Sequence, residues 1–307
     1  MIDAVVAFFV LGILIHLLGA NLSFSDGLYN TLSMFLMIAI GLKGGIALQA
    51  HIEPALITMA VAVIIFGLIL PLVAYPLLRY VGCLDKINAG AVAAHYGSVS
   101  VATYAVAVSL LEANNISYEA YFPLFVVLLE MPAIIVGLIL ARGSFKSINK
   151  AFFKKEFVAN QSILLMVGSL LIGYLGGHSV TKFEPLFIDL FSGVLALFLL
   201  KMGITAGKQL ATIKENSLFM ICFGIVMPMI GGLAGTGLGL LLELSNGGIA
   251  LMAVLGASAS YIAVPAAMKA SLPEANSGLS ITASLGITFP FNVMLGVPFF
   301  IALSQQF

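Results

Sequence analysis

The sequence predicts an all-α integral membrane protein of ten transmembrane helices, built as two inverted five-helix repeats with helices four and nine broken. Three observations lead there. Of 307 residues, 61% are hydrophobic and 8% charged, with a mean hydropathy of +1.15, whereas a water-soluble domain carries about 25% charged residues. Apolar runs of roughly 20 residues, the length one crossing requires, recur along the chain. Their continuity excludes outer-membrane barrels, whose strands alternate apolar and polar positions. Finally, three short motifs recur in the same order at offsets of 160 to 166 residues.

The first apolar run, from Ala4 to Leu18, resembles a cleaved signal, but Asp3 replaces the usual basic flank and more apolar runs come directly after it. It is read as a first crossing at 3–20. Hydropathy and breakers place the next four at 27–48, 54–80, 86–111 and 118–141, completing a first repeat over 1–142. A polar linker over 143–157 separates it from a second repeat over 158–307, with crossings at 162–175, 183–207, 218–242, 247–270 and 279–303.

Orientation is set by the basic residues, because short loops rich in Lys and Arg stay cytoplasmic. One side holds Arg79, Lys86, Arg142, Lys146, Lys150, Lys154, Lys155, Lys208, Lys214 and Lys269; the other holds Lys182. The linker is therefore cytoplasmic and both termini are outside, in a plasma membrane. A topology anchor is the simplest role for the linker, and docking of a regulator is the alternative. Lys43 and Lys201 fall inside spans and are expected to snorkel to headgroups.

Net charge is zero, with 13 basic and 13 acidic residues, so no global field recruits nucleic acid. Cys83 and Cys222 have no CxxC or Cys/His spacing and read as packing residues. No transition-metal site is suggested. His16, His51 and His178 show no ligand spacing.

The repeat carries the functional argument. Gly41-Leu-Lys-Gly-Gly45 is matched by Gly203-Ile-Thr-Ala-Gly207 at an offset of 162. Gly97-Ser-Val-Ser100 is matched by Ala257-Ser-Ala-Ser260 at 160, and Val126 to Pro132 by Asn292 to Pro298 at 166. Five crossings per half is odd, so the halves enter from opposite faces, the inverted arrangement common among secondary transporters.

Two of these motifs put small polar clusters midway along a crossing. Serine caps a helix start and glycine relaxes the backbone, so a break is predicted in each; close helix packing by small residues is the alternative. New half-helices beginning at Val101 and Tyr261 would aim two electropositive N-termini at mid-bilayer, where an anion is the natural guest. Gly97, Ser98, Ser100, Ala257, Ser258 and Ser260 are the candidate anion ligands. The half-helices ending near His95 and Ala257 would present free carbonyls suited to a sodium ion.

An ionisable residue within a span is functional by default. Glu130, beside Pro132, reads as a cation ligand or as a structural hydrogen-bonded carboxyl, with Asn292 near its repeat counterpart Gly296. Thr103, Thr282 and Thr288 offer further hydroxyls, and His95 with Tyr96 adjoins the first break. Enzyme signals fail: the segment around Gly203 and Lys208 departs from a phosphate-binding loop at Met202 and Gln209. Gly235-Thr-Gly237-Leu-Gly239 lacks a preceding strand and reads as helix packing. No HExxH, GxSxG or catalytic triad appears.

Ala93 to Val101, Gly256 to Pro265, the Leu-Glu130-Met-Pro132 segment and Phe289 to Pro298 together resemble the SbtA-type sodium-dependent bicarbonate transporters, over nearly the whole chain. The resemblance implies gate and core domains drawn from both repeats, a homotrimer, and sodium-coupled bicarbonate uptake, with sodium as coupling ion and no other cofactor. It places the anion where the two broken helices cross. It also implies a trimeric PII-like regulator, although the linker is shorter than in many relatives. Another small monocarboxylate as substrate, or a membrane anion sensor without transport, are the alternatives.

Overall fold

The computed structural model describes residues 3–20, 22, 24–50, 55–144, 160–213 and 218–307. Among these the chain is helical, without strands, and six helices are long and apolar enough to cross a membrane. We number the elements α1 Ala4–Leu17, α2 Asp26–Ala50, α3 Leu56–Pro76, α4 Lys86–Ala93, α5 Val101–Ala113, α6 Phe122–Leu129 and α7 Pro132–Arg142. The remainder are α8 Gln161–Gly176, α9 Phe191–Ile213, α10 Leu218–Leu241, α11 Asn246–Ala257, α12 Ala263–Ser271 and α13 Ser277–Ser304. The last is one continuous helical run with wide π-type turns at Thr282–Thr288 and Asn292–Gly296.

Starts are set by short polar side chains. Asp3, Asp85, Asn160 and Ser245 each accept first-turn amides, capping α1, α4, α8 and α11. Faces are set by what must stay out of water: α3 turns Ile57, Val61, Ile65 and Ile69 outward at one-turn spacing, a stripe suited to a hydrocarbon or subunit surround. Exposed Cys83 and Cys222 correct the expectation that both are packing residues; Cys222 lies on α10, whose outer face also carries Leu218, Val226 and Leu233.

The helices sort into two groups. In one, α1 lies along α9, α2 along α8, and α2 against α9. In the other, α3, α4, α7, α10, α11 and α13 pack together, with α5 joined through α11 and α13. The seams of the first group are made of glycine. A side chain on Gly12 would overlap the Leu200 carbonyl, Gly203 Cα and Ile204 N; one on Gly173 would overlap the Leu42 carbonyl, Gly45 Cα and Ile46 N. Leu42, Gly45 and Ile46 thus occupy in one seam the places of Leu200, Gly203 and Ile204 in the other, an offset of 158. This register differs by one helical turn from the pairing of Gly41 with Gly203 suggested by glycine spacing. The same offset makes Lys43 and Lys201 corresponding positions of the two seams, a match the glycine spacing alone obscures.

One boundary in the first helix group differs from expectation. The crossing predicted from 183 begins as an α-helix only at Phe191, because Gly177–Phe183 winds as a tight 3-10 turn and Pro185–Asp189 as a wide one. Residues 145–159 and 214–217 lie outside the described residues, and with them most of the predicted linker, including Lys146, Lys150, Lys154 and Lys155, and also Lys214. His51 lies outside them as well. Gly235 and Gly239 press against Met252, Ala253 and Ile249 of α11, so that glycine row is a packing seam, as its sequence suggests.

Candidate functional site

α4 stops at Ala93, and the chain passes through His95, Tyr96 and Gly97 before α5 starts at Val101. Gly97 has φ +107, a conformation that side chains rarely adopt, and a Cβ there would come within 2.8 Å of Pro71 Cδ and 3.0 Å of the Gly67 carbonyl. Ser100 is extended (φ −100, ψ 110) and its Oγ accepts the Thr103 amide at 3.2 Å, capping α5. The amides of Val101 and Ala102, orphaned as in any first turn, have no acceptor among the described residues.

α11 ends at Ala257, and Ser258 is already extended (φ −70, ψ 154). The next helix starts at Ala263, not at Tyr261; its N-cap residue Ile262 offers no side-chain acceptor, and the Ser260 hydroxyl accepts the first-turn amide of Val264 at a long 3.5 Å. Pro265 falls in its first turn, where a missing N–H does no harm. The two unwound segments cross. Tyr96 pairs with Ala259 in an antiparallel bridge, and the Ser260 amide donates to the His95 carbonyl at 2.9 Å. In return His95 Nδ1 meets the Ser260 carbonyl; since a carbonyl only accepts, Nδ1 carries the proton. That leaves Nε2 buried and without a hydrogen-bond partner.

The polar groups around the crossing divide by what they already bond. The Ser98 hydroxyl donates to the Glu130 carbonyl at 3.2 Å, and Ser258 to the Val254 carbonyl at 2.9 Å. The Ser98 and Ser258 hydroxyl protons are thus engaged, whereas the Ser100 and Ser260 oxygens accept from the Thr103 and Val264 amides. Thr288 donates to the Gly224 carbonyl at 2.7 Å, so Tyr96 is the donor in its 2.8 Å bond to Thr288 Oγ1. This chain ties the first break to α10 and α13.

Among the buried oxygens without a partner are two acceptors beside the breaks, on Glu130 and Asn292. Glu130 sits where the span from Phe122 to Arg142 is interrupted ahead of Pro132; it is 2% exposed and its Oε2 has no partner. The Asn292 amide donates to the terminal carbonyl of α11, Ala257, at 2.7 Å, and its Oδ1 likewise has no partner. Each lies beside one break, where a buried acceptor without a donor is a place for a cation, a proton or a water. Glu130, Ser100, Ser260, Tyr261 and Val99 line a cavity of about 10 Å³, room for about one water. Of the residues singled out in the sequence, Ser100, Ser260 and Glu130 share this cavity, Asn292 lies at the end of α11, and Thr103 and Thr282 are buried nearby in their own helices.

The expectation that Lys43 snorkels to headgroups is corrected. Its Nζ lies 2.8 Å from Glu112 Oε1 at the far end of α5. Two residues 69 positions apart leave no local signature, so Glu112 goes unnoticed in the sequence.

Long apolar spans, lipid-facing stripes and two interrupted rods whose unwound centres are bonded to each other define a multi-pass α-helical membrane protein of the transporter class. A family model of the Na+-dependent bicarbonate transporter superfamily matches residues 4–305, and the chain belongs to that superfamily. No curated protein matches it.

Proposed function

We propose that the protein is a secondary active symporter that moves bicarbonate together with sodium across the plasma membrane. The observation that carries this reading is the bonded crossing of the two breaks, with the unsatisfied amides of Val101 and Ala102 at the start of α5. A helix start carries roughly half a positive charge. Such a start binds an anion without a buried Arg or Lys, and so releases it as readily. Glu130 Oε2 and Asn292 Oδ1, one beside each break, are oxygen ligands for sodium, with Thr103 and His95 alongside. The cation offsets the cost of carrying an anion through the bilayer, so each ion raises the other's affinity by the same factor.

The architecture in this reading is ten crossings in two inverted repeats, with α4–α5, α6–α7 and α11–α12 each counted as one crossing. The mirrored glycine seams support it, since α1 on α9 and α2 on α8 are the same contact seen from opposite faces. The four-helix group acts as gate and the remainder as core, the core's movement exposing the crossing to each side in turn.

Bicarbonate binding to purified protein tests the coupling. Affinity is expected to rise at least tenfold between choline and saturating sodium; equal affinity in both would refute the symport. A competition series with formate, acetate and nitrate identifies the preferred anion.

A further inference from the structure

Between the two helix groups, away from the crossing, lies a second cavity of about 280 Å³ lined chiefly by apolar side chains. Lys43 of α2 stands in its wall, on the same cavity as Tyr118, Phe191 and, from α5, Tyr104 and Val108. The Lys43 ammonium lies 5.2 Å from the centre of the Phe191 ring, a cation–π contact that fixes its position. Lys43 and the Tyr118 hydroxyl both donate to one atom, Glu112 Oε1, at 2.8 and 2.9 Å. Two donors from separate elements converging on one carboxylate oxygen form a cradle for a planar oxyanion. Its present occupant is tethered to α5, and with a side chain 38% exposed it has room to swing away. Tyr104, which lines the cavity, lies one turn along α5 from Ser100, the cap at the crossing.

We infer that Lys43 and Tyr118 form a waiting site for the transported anion, held shut by Glu112, whose carboxylate occupies the place the anion takes. This rests on the bicarbonate reading above and adds a second, earlier stop on its path. The site faces the side opposite Arg79, Lys86 and Arg142, the outside by the distribution of basic residues. Lys43 is cationic whether or not an anion is present, so the exchange of Glu112 for bicarbonate keeps the local charge balanced.

The test is sodium-driven uptake of labelled bicarbonate by intact cells, with KM and maximal rate normalised to protein in the membrane. Lys43→Gln removes a charge-assisted hydrogen bond and is expected to raise KM about tenfold with the maximal rate largely kept. Tyr118→Phe raises KM about threefold, a neutral bond's worth. Glu112→Gln weakens the competitor and lowers KM, and the double variant Lys43→Gln, Glu112→Gln behaves as Lys43→Gln alone. An unchanged or higher KM in Glu112→Gln overturns the inference, as does an unaltered KM in Lys43→Gln. Should Glu112→Gln fail to reach the membrane, Lys43→Gln and Tyr118→Phe decide: a KM unmoved in both overturns it. Absence of bicarbonate uptake in the unaltered protein would instead count against the function proposed above.

Discussion

At the scale of single residues, Gly97 is the position with least freedom to change. Its φ of +107 and the closeness of Pro71 and Gly67 leave no place for a methyl group. Gly97→Ala should lose about 1–3 kcal/mol of stability and abolish uptake, because the break must move; thermal unfolding in detergent and a flux assay read the two effects. The buried oxygens invite a different prediction. Glu130→Gln keeps the shape and removes the charge, so the sodium concentration for half-maximal uptake should rise about tenfold while bicarbonate KM at saturating sodium changes little. A sodium dependence identical to the unaltered protein would take Glu130 out of the cation site. Gly97, Ser98, Ser100 and Glu130 are legible in the sequence because glycine, serine and a carboxyl are conspicuous inside apolar runs. The Tyr96, Thr288 and Gly224 chain is not, because its members lie on three separate elements and look like ordinary packing residues.

At the scale of elements, caps decide where helices begin. Asp85 accepts the Asn88 and Ile87 amides, and the Asn88 amide above all holds its carboxyl below the usual carboxylate range. A carboxyl lowered on folding stabilises the protein above its ordinary value and loses that contribution as pH falls through the lowered one. Asp85→Ala should therefore cost about 1 kcal/mol at neutral pH, and the difference from the unaltered protein should vanish on acidification, which melting curves from neutral to acidic pH would show. The break at Ser100 is readable because that serine caps α5. The start of the half-helix at Ala263 differs by two residues from the expected Tyr261 because its N-cap position holds Ile262, which has no acceptor; Ser260 reaches only the Val264 amide, at 3.5 Å, and Pro265 tolerates the first turn without fixing where it begins. The displaced start of α9 has a similar cause: apolar residues from Phe183 onward fit a span by hydropathy, yet Pro185 and the turn at Leu190 keep them out of the α-helix.

At the scale of the whole molecule, membrane class and helix order are written in composition, since no soluble fold disposes of so much apolar surface. The register between halves is harder to read. Glycine recurs along both α2 and α9, so matching by glycine spacing is ambiguous by one turn, and only the facing backbone resolves it. Equivalent seams should respond alike: Gly45→Val and Gly203→Val each push a branched side chain into opposing backbone, and each should cost about 1–3 kcal/mol. Melting temperatures that fall together would support the mirrored arrangement, while one tolerant and one intolerant position would argue that the seams are unrelated.

The bare backbone contact in those seams has a mechanical consequence. Where main chains touch there are no side chains to change rotamer, and such a joint neither slides nor hinges cheaply. In the proposed mechanism the four helices it binds would serve as a stator, with relative travel confined to the boundary where rings such as Phe9 and Phe289 meet edge-on. The stroke proposed to carry ions through the bilayer would thereby be given a track and a bearing by residues with no ionisable group at all.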